Sequence, residues 1–122
     1  MIINDLCSYK VLEHVDQAIE ATILINENST VYKGHFPHRA ITPGVCQVLM
    51  IKEIMEEVLG APVILSGAKY IKFTAIHEPG KAKEIRAKIK YNSDGDRFGV
   101  EGLLFKGETG YLKFKGEFIR QA

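Results

Sequence analysis

Apolar and polar residues alternate with a period of two over most of the chain, and that period breaks once. Ile19, Ala21, Ile23 and Ile25 fall on one face of the stretch from Ala18 to Ile25, with Glu20 and Thr22 on the other. This is the spacing of a half-buried strand. Tyr9 to Val15 reads as a weaker first strand, and residues 1–8 as a lead-in, helical or extended. Beyond residue 69 the alternation returns. Ile71, Phe73 and Ala75 alternate with Tyr70, Lys72 and Thr74. Ile85, Ala87, Ile89 and Tyr91 alternate with Glu84, Arg86, Lys88 and Lys90, the cleanest pattern in the chain. Phe98, Val100 and Leu104 continue on one face, and Leu112, Phe114 and Phe118 alternate with Lys113, Lys115 and Glu117. Turn clusters separate these runs at Asn26-Glu27-Asn28-Ser29, Glu78-Pro79-Gly80, Asn92 to Asp96 and Gly107 to Gly110.

The break is a helical pattern from Pro43 to about Leu59. Proline suits a first helical turn, and Gly60 with Pro62 beyond it makes a stop signal. Val45 to Ile51 is apolar on all sides except Gln47, which predicts a helix buried all round. The second half carries a polar stripe of Lys52, Glu53, Glu56 and Glu57 opposite Ile54, Met55 and Val58, so this end should face solvent. The sum is a single α+β domain over residues 1–122: an antiparallel sheet of five or six strands around one central helix. One such sheet cannot cover a helix apolar all round, which argues for a symmetric dimer.

A net charge of +1 gives no bulk argument for nucleic acid or an anionic membrane as partner. Cys7 and Cys46 make no disulfide framework, so a reducing cytoplasm is expected. The first residues lack a basic region and a long apolar run, so no signal peptide is expected. No run approaches the roughly 20 apolar residues of a membrane span.

The chemistry concentrates in the stretch from Gly34 to Val45. His35 stands nine residues before the Pro43-Gly44 step that opens the helix. The first N–H groups of a helix have no intrahelical acceptor, and with the helix dipole they attract anionic or polarised oxygen. A titratable histidine beside such a site suggests proton abstraction next to a carbonyl. Other histidines look bland: His38 as an exposed loop residue, His14 and His77 as surface residues. Zinc at His35, His38 and Cys46 would want a fourth ligand or second-shell support, and Cys46 reads better as a small core residue, so no metal is expected.

Gly34-His35-Phe36-Pro37, followed by Pro43-Gly44-Val45 at a helix start, resembles the signature of the β-hydroxyacyl-acyl carrier protein dehydratases. Lys69-Tyr70-Ile71-Lys72-Phe73 followed by Pro79-Gly80 is similar to that family's strand and turn after the helix, so the resemblance runs from about residue 9 to the end. It implies a hot-dog fold, a long helix wrapped by an antiparallel sheet, working as a dimer. It implies dehydration of (3R)-hydroxyacyl thioesters to trans-2-enoyl thioesters in fatty acid or related lipid or polyene synthesis, with no cofactor. His35 takes the base position, the Gly44 N–H the position that polarises the thioester carbonyl, and Phe36, Pro37, Val45 and Leu49 the positions along the substrate. The thioester would be carried by an acyl carrier protein or coenzyme A. Lys69, Lys72, Lys88 and Lys90 would either dock an acidic carrier or form a solvated sheet face.

One departure stands out. The family has a carboxylate on the partner subunit's helix where this chain has Leu49, and Glu53 follows one turn later, about 5.4 Å along the axis. Glu53 is either a relocated acid or part of the solvated stripe. The alternatives are a hot-dog thioesterase using Glu53 as nucleophile or base, and an acyl-binding or heterodimer subunit with an incomplete site.

Overall fold

The computed structural model describes residues 5–32 and 40–121. Six strands form one sheet: β1 (Cys7–Val15), β2 (Ala18–Ile25), β3 (Val63–Phe73), β4 (Glu84–Asp94), β5 (Arg97–Lys106) and β6 (Thr109–Arg120). The helix α1 (Gly44–Leu59) and a short 3-10 turn at Thr30–Tyr32 complete the elements. The strand order is β1-β2-β4-β5-β6-β3, and every pairing is antiparallel. The β1–β2, β4–β5 and β5–β6 links are hairpins; the long excursion from β2 through α1 to β3 sends β3 to the far edge.

Alternation decides which face is inside. Ile19, Ala21, Ile23 and Ile25 of β2 are buried, as are Ile85, Ala87 and Ile89 of β4. Phe98, Val100 and Leu104 of β5 and Leu112, Phe114 and Phe118 of β6 complete the same layer. The helix lays Cys46, Met50, Ile51, Ile54 and Met55 into it. The approach is close at Gly102, where an added Cβ would stand 2.9 Å from Ile51 Cδ1. A side chain on β5 at that point would force the fully buried Ile51 side chain to shift.

The helix boundaries agree with the sequence signals. Pro43 is the N-cap residue, and Gly60 adopts the left-handed conformation at φ 68°, with its N–H on the Glu56 carbonyl. Glu56 also ties the helix end to the sheet: its Oε2 accepts the Val63 N–H at 2.9 Å and pairs with Lys52 at 3.3 Å.

Three expectations need correction. The helix is not buried on every side within one chain. Val45 is 57% exposed, whereas Gln47, the polar exception, is only 4% exposed. The strand after the helix begins at Val63, well before the alternating run from Tyr70. Most of β3 is exposed, including Ile64, Leu65, Ile71 and Phe73, because among the described residues only β6 pairs with it. The loop expected over Asn92 to Asp96 is a tight turn at Gly95 and Asp96, with Gly95 at φ 63°, because β4 continues through Asp94.

Candidate active site

The start of α1 is built as the sequence pattern requires. The Pro43 carbonyl accepts the N–H groups of Cys46 at 3.1 Å and Gln47 at 3.3 Å. Among the described residues no acceptor stands on the N–H of Gly44 or Val45. Two donors at the positive end of a 16-residue helix are therefore available to a carbonyl oxygen. Gly44 is needed for another reason: the ring of Phe73 lies across it, and an added Cβ would be 2.5 Å from Phe73 Cζ. Phe73 is 51% exposed and Val45 follows Gly44 directly, so the open donors stand beside apolar side chains.

His35, Phe36 and Pro37, with Gly34, His38 and Arg39, lie outside the described residues. The chain that leads to them and away from them is fixed by polar contacts. On the leading side, Asp5 carboxylate oxygens accept the Thr30 N–H at 3.3 Å, the Thr30 hydroxyl at 3.0 Å and the Ser29 hydroxyl at 3.2 Å. Those bonds, the Thr30 hydroxyl first, hold the Asp5 pKa below its ordinary value. On the trailing side, Thr42 is buried and bonded to Tyr32 and His77.

His77 corrects the sequence reading most clearly. Expected on the surface, it is 1% exposed. Its Nδ1 lies 2.6 Å from Thr42 Oγ1, its Nε2 lies 2.7 Å from the Ala82 carbonyl, and its ring meets Tyr111 edge-on at 4.9 Å. Burial, more than any other effect, lowers its pKa. Residues 74–83 form no strand, and a histidine in such a segment gives no periodic signal, so only the tertiary contacts reveal it. His14 is exposed as expected and bonds Tyr91 Oη at 2.7 Å. Cys46 lies in the core as expected.

Gln47 was read only as an interruption of an apolar run. Its Nε2 donates to the Thr42 carbonyl at 3.4 Å, and its buried Oε1 has no donor among the described residues.

Glu53 is half-buried rather than fully solvated. Its polar neighbours include Tyr9 and Glu56; burial first, and then the Glu56 charge, raises its pKa. Nearby, burial pushes the Cys7 thiol up to about 11. Among the described residues the buried Tyr9 hydroxyl has no hydrogen-bond partner. Leu49 is partly buried against the core. Within one chain Gly44 and Glu53 are separated: nine residues of helix span about 13.5 Å. For Glu53 to act beside Gly44, it would have to come from another subunit.

Comparison with known proteins agrees with this architecture. The model of the ApeI-like family, described as ApeI dehydratase, matches residues 12–106. Among solved structures, the dehydratase heterocomplex ApeI:P from Xenorhabdus doucetiae is similar with a TM-score of 0.71 at 16% identity, covering 93% of this chain and 99% of that one. The BH2602 protein from Bacillus halodurans, solved with CoA, gives 0.64 at 15% identity, over 93% of this chain and 74% of that one. A putative thioesterase from Shewanella oneidensis gives 0.57 at 13% identity, over 93% and 83%. A comparison with curated proteins returned no match. Identities this low carry the fold alone, and it is the hot-dog fold: one helix wrapped by an antiparallel sheet. With the family model spanning most of its length, the chain belongs to the ApeI-like dehydratase family of hot-dog proteins.

Proposed function

We propose that this chain dehydrates (3R)-hydroxyacyl thioesters, carried by an acyl carrier protein, to trans-2-enoyl thioesters. The single observation that supports this reading best is the pair of N–H donors at Gly44 and Val45, without an acceptor among the described residues and nine and ten residues after His35. The thioester carbonyl sits on these donors, so charge developing on its oxygen meets the helix N-terminus. His35 removes the proton from the alpha carbon. The electron pair left behind forms the double bond as the bond from the beta carbon to oxygen breaks. The departing hydroxide takes a proton and leaves as water. Glu53 of the partner subunit is the acid in this reading, since its burial keeps its carboxyl protonated to higher pH than an exposed glutamate. Phe36, Pro37, Val45 and Leu49 lie along the acyl chain.

The working unit is a homodimer. Edge strand β3 has one edge with no partner strand among the described residues, Ile64, Leu65, Ile71 and Phe73 are exposed on it, and Val45 is exposed on the helix. Pairing two such edges about a two-fold axis would cover both. Among the described residues no helix is long and apolar enough to cross a membrane.

A thioesterase is the second reading, favoured by Leu49 at the acid position and the half-buried Glu53. Incubation with 3-hydroxyacyl and saturated acyl thioesters separates the two. Dehydration yields the enoyl absorbance with no thiol; hydrolysis releases free thiol from both. Thiol release from both substrates without enoyl product would replace the dehydratase reading.

A further inference from the structure

Tyr32, Thr42, His77 and Ala82 form a buried run of hydrogen bonds whose direction is fixed by chemistry. The Ala82 carbonyl only accepts, so His77 Nε2 carries the proton, at 2.7 Å. In the neutral ring Nδ1 is then an acceptor, and the Thr42 hydroxyl donates to it at 2.6 Å. Thr42 Oγ1 has spent its proton, so it accepts from the Tyr32 hydroxyl at 2.8 Å. The main chain of Thr42 is held as well: its N–H donates to the His77 carbonyl at 2.9 Å, and its own carbonyl accepts from Gln47 Nε2 at 3.4 Å. Every hydrogen-bonding group of Thr42 is therefore used.

The position of this residue in the chain gives the network its consequence. Tyr32 is the last residue before the segment that contains His35, and Thr42 is the last before Pro43 and the helix. The bond between them brings both ends of residues 33–41 to one buried point, and His77 anchors that point to the loop before β4. We infer that Tyr32, Thr42 and His77 are positioning residues: together they clamp the two flanks of the segment bearing His35, Tyr32 before it and Thr42 after it, beside the start of the helix. This rests on the reading of His35 as base. A network that served only core packing would use apolar side chains at less desolvation cost.

The test uses the full chain with Thr42→Val, which keeps shape and loses the hydroxyl, and Thr42→Ser, which restores it. Two quantities are read: backbone hydrogen exchange over residues 33–41, and kcat and KM on a 3-hydroxyacyl thioester. Thr42→Val is expected to speed exchange in that segment by about fivefold, the worth of one hydrogen bond, with β4–β6 unchanged. It is expected to lower kcat by roughly 10- to 100-fold with KM nearly constant, because a misplaced base loses its alignment rather than its substrate. Thr42→Ser should match the parent in both. Tyr32→Phe, which leaves Thr42 bonded to His77, should show the same direction more weakly and serves if Thr42→Val does not fold. Unchanged exchange over residues 33–41 in the folded variant, or exchange raised equally across the whole sheet, overturns the clamp. An inactive His35→Ala beside a fully active Thr42→Val overturns the positioning role alone. A fully active His35→Ala removes the base assignment, and the exchange measurement then decides the clamp without it.

Discussion

Two ionisable side chains, one buried and one half-buried, give predictions of opposite sign. Burial lowers the pKa of His77 below its ordinary 6.5, so between the two values the unfolded chain binds more protons than the folded one. Stability should therefore fall as pH drops through that value. Urea unfolding at about pH 7.5 and about pH 5.5 should show this loss, and His77→Asn should show less of it. Glu53 is the reverse case. Its folded pKa is raised above 4.5, so the folded chain holds the extra proton and stability falls as pH rises through that window. Glu53→Gln should thus be more stable at neutral pH while turning over more slowly, if Glu53 is the acid. A stabilised variant with unchanged turnover would assign Glu53 to the surface stripe, and activation by Leu49→Glu would then mark an incomplete site. Only one of the two was legible in the sequence. The Glu53 displacement could be read from the motif spacing. His77 could not, because nothing local distinguishes a buried loop histidine from a wet one.

Among the elements, α1 shows why pattern predicts some features and misses others. Its ends follow from local chemistry, a proline at the start and a left-handed glycine at the stop, so both were readable. Its burial depends on what covers it, and an apolar circumference does not say whether the cover is intramolecular. Val45 is consequently exposed within one chain, and Gln47 is buried because the Thr42 carbonyl offers its amide a partner. The strands of the inner layer were legible from alternation because each buries one face. β3 was half missed because its residues from Ile64 to Lys69 are exposed and its partner lies on one side only. The helix and the sheet approach closely at Gly102. Gly102→Ala should destabilise the fold by about 1–3 kcal/mol, since its Cβ would meet a fully buried Ile51. Ile51→Val removes the Cδ1 that clashes, so the double variant should lose less than the two single variants summed, as measured by denaturant unfolding.

For the molecule as a whole, the free edge of β3 and the exposed start of α1 predict a homodimer. Leu65→Lys on β3 should shift it toward monomer by light scattering, and lower activity with it if the acid comes from the partner subunit. A parent protein that scatters as a monomer at micromolar concentration would remove both the dimer and the shared site. The central claim is that His35 and the helix start at Gly44 remove a proton beside a thioester carbonyl. The most direct measurement is the rate of enoyl thioester formation from a (3R)-hydroxyacyl thioester by the parent and by His35→Ala, each shown folded by circular dichroism. The account predicts clear turnover by the parent and a loss of at least about 10²-fold in the variant, the usual effect of deleting a general base. Equal rates in two folded proteins would contradict it.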